Sequence, residues 1–116
     1  VKQETVAEMS ECNQIWDFIY IEDVCTAIHK VISLKVCGTY NLCSGDHKKL
    51  KDTVNKVASI ATERYQKKAK IMYGIRKVGL NDPKVLRGSN SKLMRATGWR
   101  PLYDMNTGLE KTVYEW

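Results

Sequence analysis

The sequence predicts a mixed α/β domain with an N-terminal hairpin or strand, a short parallel βαβ pair and about four helices. Three observations predict it. Trp16–Asp23 begins with aromatic and β-branched residues that suit a half-buried strand, and it ends on Glu22 and Asp23, which favour a helix start. A strand-like Thr39–Cys43 and a strand-like Ile71–Ile75 flank a long helical pattern, the spacing of a βαβ unit. Apolar residues recur at i, i+3, i+4 and i+7 in several windows, the mark of amphipathic helices.

Taken in order, Val6–Met9 and Gln14–Ile21 flank a polar turn at Ser10–Asn13, so the expected arrangement is a hairpin. A helix over Asp23–Ser33 should bury Val24, Ala27, Ile28, Val31 and Ile32 on one face. Thr39–Cys43 is closed by Ser44-Gly45-Asp46, which favour a tight turn before the next helix. That helix runs over Lys49–Tyr65, with Leu50, Val54, Val57, Ala58 and Ala61 as its apolar stripe. Thr39–Cys43 and Ile71–Ile75 should then pair in parallel. Arg76–Gly88 is a cation-bearing loop broken by Gly79, Asn81, Asp82 and Pro83. Ser89 or Asn90 caps a helix over Ser91–Thr97, stopped by Gly98 and Pro101, with Trp99 buried. Asp104 caps a last helix through Leu109 and Val113 to Trp116.

The 116 residues suffice for one domain or a piece of one. The first residue is valine, so a fragment or processed product is expected. Net charge is +6 and the pI is about 9.2, a balance that attracts phosphates. The cations are spread along the chain without a nucleic-acid-binding signature, so no nucleic-acid partner is expected. No run reaches membrane-span length and no signal peptide is visible, so no membrane partner is expected either. Cys12, Cys25, Cys37 and Cys43 contain no C-x-x-C pair, and His29 and His47 lack metal-ligand spacing. They read as free thiols in a reducing cytoplasm, with Cys25 and Cys43 on core faces. One spacing, Tyr73-x-x-x-Lys77, is an accidental match to a catalytic motif. It falls on a strand, where residues four apart stand roughly 13 Å from each other.

Four segments carry a resemblance. Asp17-Phe18-Ile19-Tyr20-Ile21-Glu22-Asp23-Val24, Gly38-Thr39-Tyr40-Asn41-Leu42-Cys43-Ser44-Gly45, Asp82-Pro83 with Asn90-Ser91-Lys92-Leu93, and Gly98-Trp99-Arg100-Pro101 with Gly108-Leu109 resemble motifs of the extended short-chain dehydrogenases. These are the NAD(P)-dependent nucleotide-sugar epimerases, dehydratases and reductases, and the match is to their C-terminal third.

The resemblance implies a C-terminal substrate-binding part over 1–116. The Gly-rich cofactor loop, catalytic Ser/Thr and catalytic Y-x-x-x-K would lie upstream, in a missing N-terminal Rossmann domain. It implies NAD or NADP in the full-length enzyme and none bound by this piece, a nucleotide-diphosphate sugar as ligand, a cytoplasmic location, and a homodimer of the full enzyme. The isolated chain is expected to be catalytically inert. The expected substrate contacts are Trp16, which stands where the family often has a diphosphate-binding arginine, with Arg76 and Arg87 as the available cations. The alternative is a stand-alone module that binds a phosphate ligand or a protein without catalysis.

Overall fold

A computed structural model describes residues 6–115. Five short strands and four helices follow one another: β1 Ala7–Glu8, β2 Ile15–Asp17, α1 Ile21–Ser33, β3 His47–Lys49, α2 Leu50–Tyr65, β4 Ile71–Met72, β5 Val85–Leu86, α3 Ser91–Thr97 and α4 Met105–Glu115. The mixed α/β class and the four helices are as expected. Trp116, the expected end of the last helix, lies outside the described residues.

The strand pairings differ from expectation. β1 does not form a hairpin with β2; it pairs in parallel with β4, Ala7 opposite Ile71. β2 is instead the centre of a three-stranded sheet, antiparallel to β3 and parallel to β5. The Ser10–Asn13 turn exists, with Cys12 at φ 53°, but it passes the chain from one sheet to another. Thr39–Cys43 is not a strand. Its segment is strand-like in composition, yet no backbone–backbone hydrogen bond among the described residues holds it. A strand is defined by a partner, which local composition cannot supply.

Helix ends follow local chemistry. Asp104 accepts the Thr107 N–H at 2.8 Å and caps α4. Gly98, at φ 69°, ends α3 in the left-handed conformation that glycine tolerates best. Asn90 precedes α3 but its side chain is used elsewhere, on the carbonyls of Cys43 and Ser44.

The core joins Ala27 of α1, Leu93 of α3 and Trp99, with Ile19, Val31, Tyr40, Leu42 and Met94 packed around them. Trp99 is buried, and its indole N–H donates to the Thr26 hydroxyl. The predicted core face of α1 is only half right. Ala27 is buried and Val24 and Val31 are half-buried, whereas Ile28 and Ile32 are 50% and 70% exposed. Cys25 is likewise exposed, contrary to its expected core position, while Cys43 and Cys12 are buried and all four thiols are free.

Candidate functional site

The strand end at β2 gathers the segments that looked familiar in the sequence. Asp17 is the hub. One of its oxygens accepts the Ser44 N–H and the Ser44 hydroxyl, both at 2.8 Å, and the other accepts the Gly45 N–H at 2.8 Å. His47 Nε2 lies 3.7 Å from the same carboxylate. The Asn90 amide donates to the Cys43 and Ser44 carbonyls at 3.0 and 3.3 Å. Gly88 passes so close to Cys43 that a Cβ there would stand 2.7 Å from its sulfur. Burial, reinforced by the Asp17 charge, pushes the Cys43 thiol up from its ordinary range.

Trp16 lies on the opposite face of β2 from Asp17, because side chains alternate along a strand. Its register partners are Lys48 and Leu86. The indole N–H donates to the Pro83 carbonyl at 2.9 Å, so Trp16 pins the 76–88 segment to the sheet. Its ring centroid stands 6.2 Å from that of Phe18. Arg87 follows directly on β5 and is exposed. Arg76 is tied instead to the β1–β4 sheet: its N–H donates to the Met9 carbonyl and its guanidinium stands 4.0 Å from Glu8 in an open ion pair. Trp16 and Arg87 thus belong to one sheet and Arg76 to the other.

A second cluster flanks the strand end. Phe18, Tyr20, Tyr103, Met105 and Leu109 line a largely apolar cavity of about 290 Å³ between the β2–α1 junction and α4. Behind it the Tyr103 hydroxyl donates to Glu22, Lys111 sits 3.5 Å from Glu22, and the Tyr20 hydroxyl donates to Glu115. The Lys111 ammonium also stands 5.3 and 5.8 Å from the Tyr103 and Tyr20 ring centroids. The Tyr103 hydrogen bond, with Lys111 beside it, holds the Glu22 carboxyl below the usual carboxylate range. Glu22 in turn raises Lys111 and, through that hydrogen bond, Tyr103.

Sequence reasoning had assigned Glu22 and Asp23 to the helix dipole alone. It missed that Asp23, fully buried, accepts the Leu102 and Tyr103 N–H groups, and that Asp17 organises a turn 27 residues away. Their positions inside the family-like motif were the only signal.

The site holds no Tyr–Lys catalytic pair. The Tyr73 hydroxyl donates to Asn55 at 2.6 Å, and burial raises its pKa, the opposite of what a proton-donating tyrosine beside a lysine needs. The glycines with positive φ, at 38, 45, 74 and 98, occur singly and build no Gly-rich turn of the kind that cradles a dinucleotide. These residues do not fit a nicotinamide cofactor.

Comparison with known proteins agrees with these motifs. The sequence model of the family described as GDP-mannose 4,6 dehydratase matches residues 1–112. The chain belongs to that family. Within it, the chain is 26% identical over 110 residues to GDP-6-deoxy-D-mannose reductase of Pseudomonas aeruginosa, covering 94% of this chain and 35% of that protein. It is 31% identical over 109 residues to dTDP-glucose 4,6-dehydratase of Salmonella typhimurium, covering 90% of this chain and 29% of the relative. The structure of the Pseudomonas aeruginosa protein RMD, complexed with NADPH, superposes with a TM-score of 0.78 at 27% identity, covering 98% of this chain and 36% of that one. A putative epimerase from Burkholderia cenocepacia gives a TM-score of 0.73 at 28% identity, over 93% of this chain and 35% of the other. This family member therefore spans about a third of the relatives it matches, and NADPH is held by a full-length relative of which it represents one part. No helix of the described residues is long and apolar enough to cross a membrane.

Proposed function

We propose that this chain is the nucleotide-sugar-binding part of an NAD(P)-dependent epimerase, dehydratase or reductase of the cytoplasm, and that it is inert without a Rossmann domain supplying the cofactor. The observation that carries the reading is the clamp at β2. Asp17, Ser44, Gly45, Gly88 and Asn90, all from or beside the family-like segments, converge to hold one strand end and one turn in fixed relation. Trp16, Arg87 and Arg76 supply an aromatic surface and two exposed cations for a base or sugar and a diphosphate.

The surface supports a missing partner domain. The chain exposes 8352 Å², against about 6,500 Å² expected of a compact monomer of this mass. Its radius of gyration is 16.6 Å, against about 13 Å for a compact domain. Ile21, Ile28 and Ile32 form a bare stripe along α1, and the Thr39–Cys43 segment makes no backbone–backbone hydrogen bond among the described residues. A Rossmann domain has both an apolar sheet face and a strand edge to offer.

The reading is tested in an enzyme assembled from this chain and its cofactor domain. Arg76→Ala should weaken binding of a nucleoside diphosphate about tenfold, the value of one charge-assisted contact. Unchanged affinity, measured by calorimetry, removes Arg76 from the site.

A further inference from the structure

Next to the bare isoleucine stripe of α1 lies a cleft that none of the preceding chemistry uses. Its volume is about 670 Å³, within the range of small-molecule sites. One wall is Cys25, His29 and Lys30 of α1; the other is Trp99, Arg100 and Leu102 of the turn after α3. The turn is held in place by Asp23, whose oxygens accept the Leu102 and Tyr103 N–H groups at 2.8 and 3.1 Å. Trp99 is fixed from the α1 side by its bond to Thr26.

Two features define what the cleft would take. Among the described residues no carboxylate lines it, while Lys30 and Arg100 are exposed and His29 stands beside them. Asp23, which holds the turn, is fully buried and spends both oxygens on it. The floor is apolar, from Trp99 and the 78% exposed Leu102. A planar guanidinium and an ammonium facing one space suit a dianion better than a single carboxylate, and the floor suits an organic body.

We propose that the cleft between α1 and the Gly98–Leu102 turn is a binding site for a phosphorylated small molecule, separate from the β2 strand end. The proposal is independent of the nucleotide-sugar reading, because it uses none of Trp16, Arg76 or Arg87.

Cys25 makes the site testable, since it is an exposed thiol on the cleft wall and Cys37 is an exposed thiol elsewhere. The folded chain is alkylated with iodoacetamide, and the two rates are followed by peptide mass spectrometry with inorganic pyrophosphate as probe. Pyrophosphate should slow Cys25 saturably, about fivefold or more, by shielding its sulfur, and leave Cys37 unchanged. Arg100→Gln and Lys30→Gln, both at exposed positions, should each raise the half-saturating concentration about tenfold. Lys92→Gln, on α3 against Tyr40, should change nothing. Equal slowing of both thiols, the same protection by potassium chloride at matched ionic strength, or unchanged half-saturation in both cleft variants would each overturn the proposal.

Discussion

Two carboxylates, Asp17 and Asp23, tie strand and helix ends to distant loops. Asp17 holds the Ser44–Gly45 turn and Asp23 holds Leu102–Tyr103. Each accepts backbone N–H groups that would otherwise be orphaned in half-buried surroundings, and such charge-assisted bonds are worth more than neutral ones. Asp17→Ala leaves the Ser44 and Gly45 donors without this acceptor and should cost about 2–4 kcal/mol. A urea midpoint unchanged from the parent chain would show that the turn holds without it. The Glu22–Tyr103–Lys111 cluster gives the residue scale a pH signature. Glu22 is depressed, so its contribution is complete above the ordinary carboxylate pKa and is lost as pH falls below it. Tyr103 and Lys111 are raised, so theirs is complete below about pH 10 and is lost as pH rises through the higher folded values. Tyr103→Phe should flatten both edges of a thermal-stability profile across pH; a profile superimposable on the parent's would refute the coupling.

At the scale of elements, α4 is seated by a glycine. Gly108 is buried in mid-helix, where glycine ordinarily costs about 1 kcal/mol relative to alanine. A Cβ at this position would meet the Tyr20 Cβ at 3.1 Å and its ring beyond. Tyr20 is itself buried and anchored through its hydroxyl to Glu115, so it has little room to yield. Gly108→Ala should therefore destabilise the fold despite the better helix propensity, and a raised melting temperature would mean that the contact relaxes. Gly108-Leu109 was legible as part of a family-like motif, but the reason for the glycine was not, because it lies in a tyrosine 88 positions earlier. The helices themselves were legible: α2 and α3 fall within a residue of their expected bounds, since their period and caps are local. The strands were not. Two or three residues of β propensity carry no information about which of several equally short segments will pair, so β1 found β4 and β2 found β3 and β5.

The whole molecule is more open than its mass requires, its α1 isoleucines are bare, and its 39–43 segment pairs with no strand among the described residues. Spanning about a third of its relatives, it holds the motifs of that part and none of the dinucleotide-binding glycines. The prediction at this scale is that the chain alone, mixed with NADH and nucleotide-sugars, oxidises no NADH above background. Steady turnover followed at 340 nm would refute its dependence on a separate cofactor domain. Family, helix count and mixed class were determined by the sequence alone, because motif register and 3.6-residue periodicity are properties of the chain read in one dimension. Only the tertiary structure decided the strand partners, the exposure of Cys25 and Ile28, the division of Arg76 from Trp16 and Arg87 between two sheets, and the roles of Asp17 and Asp23. Each of those depends on which surfaces meet across dozens of residues, and a pattern of neighbours along the chain does not contain that information.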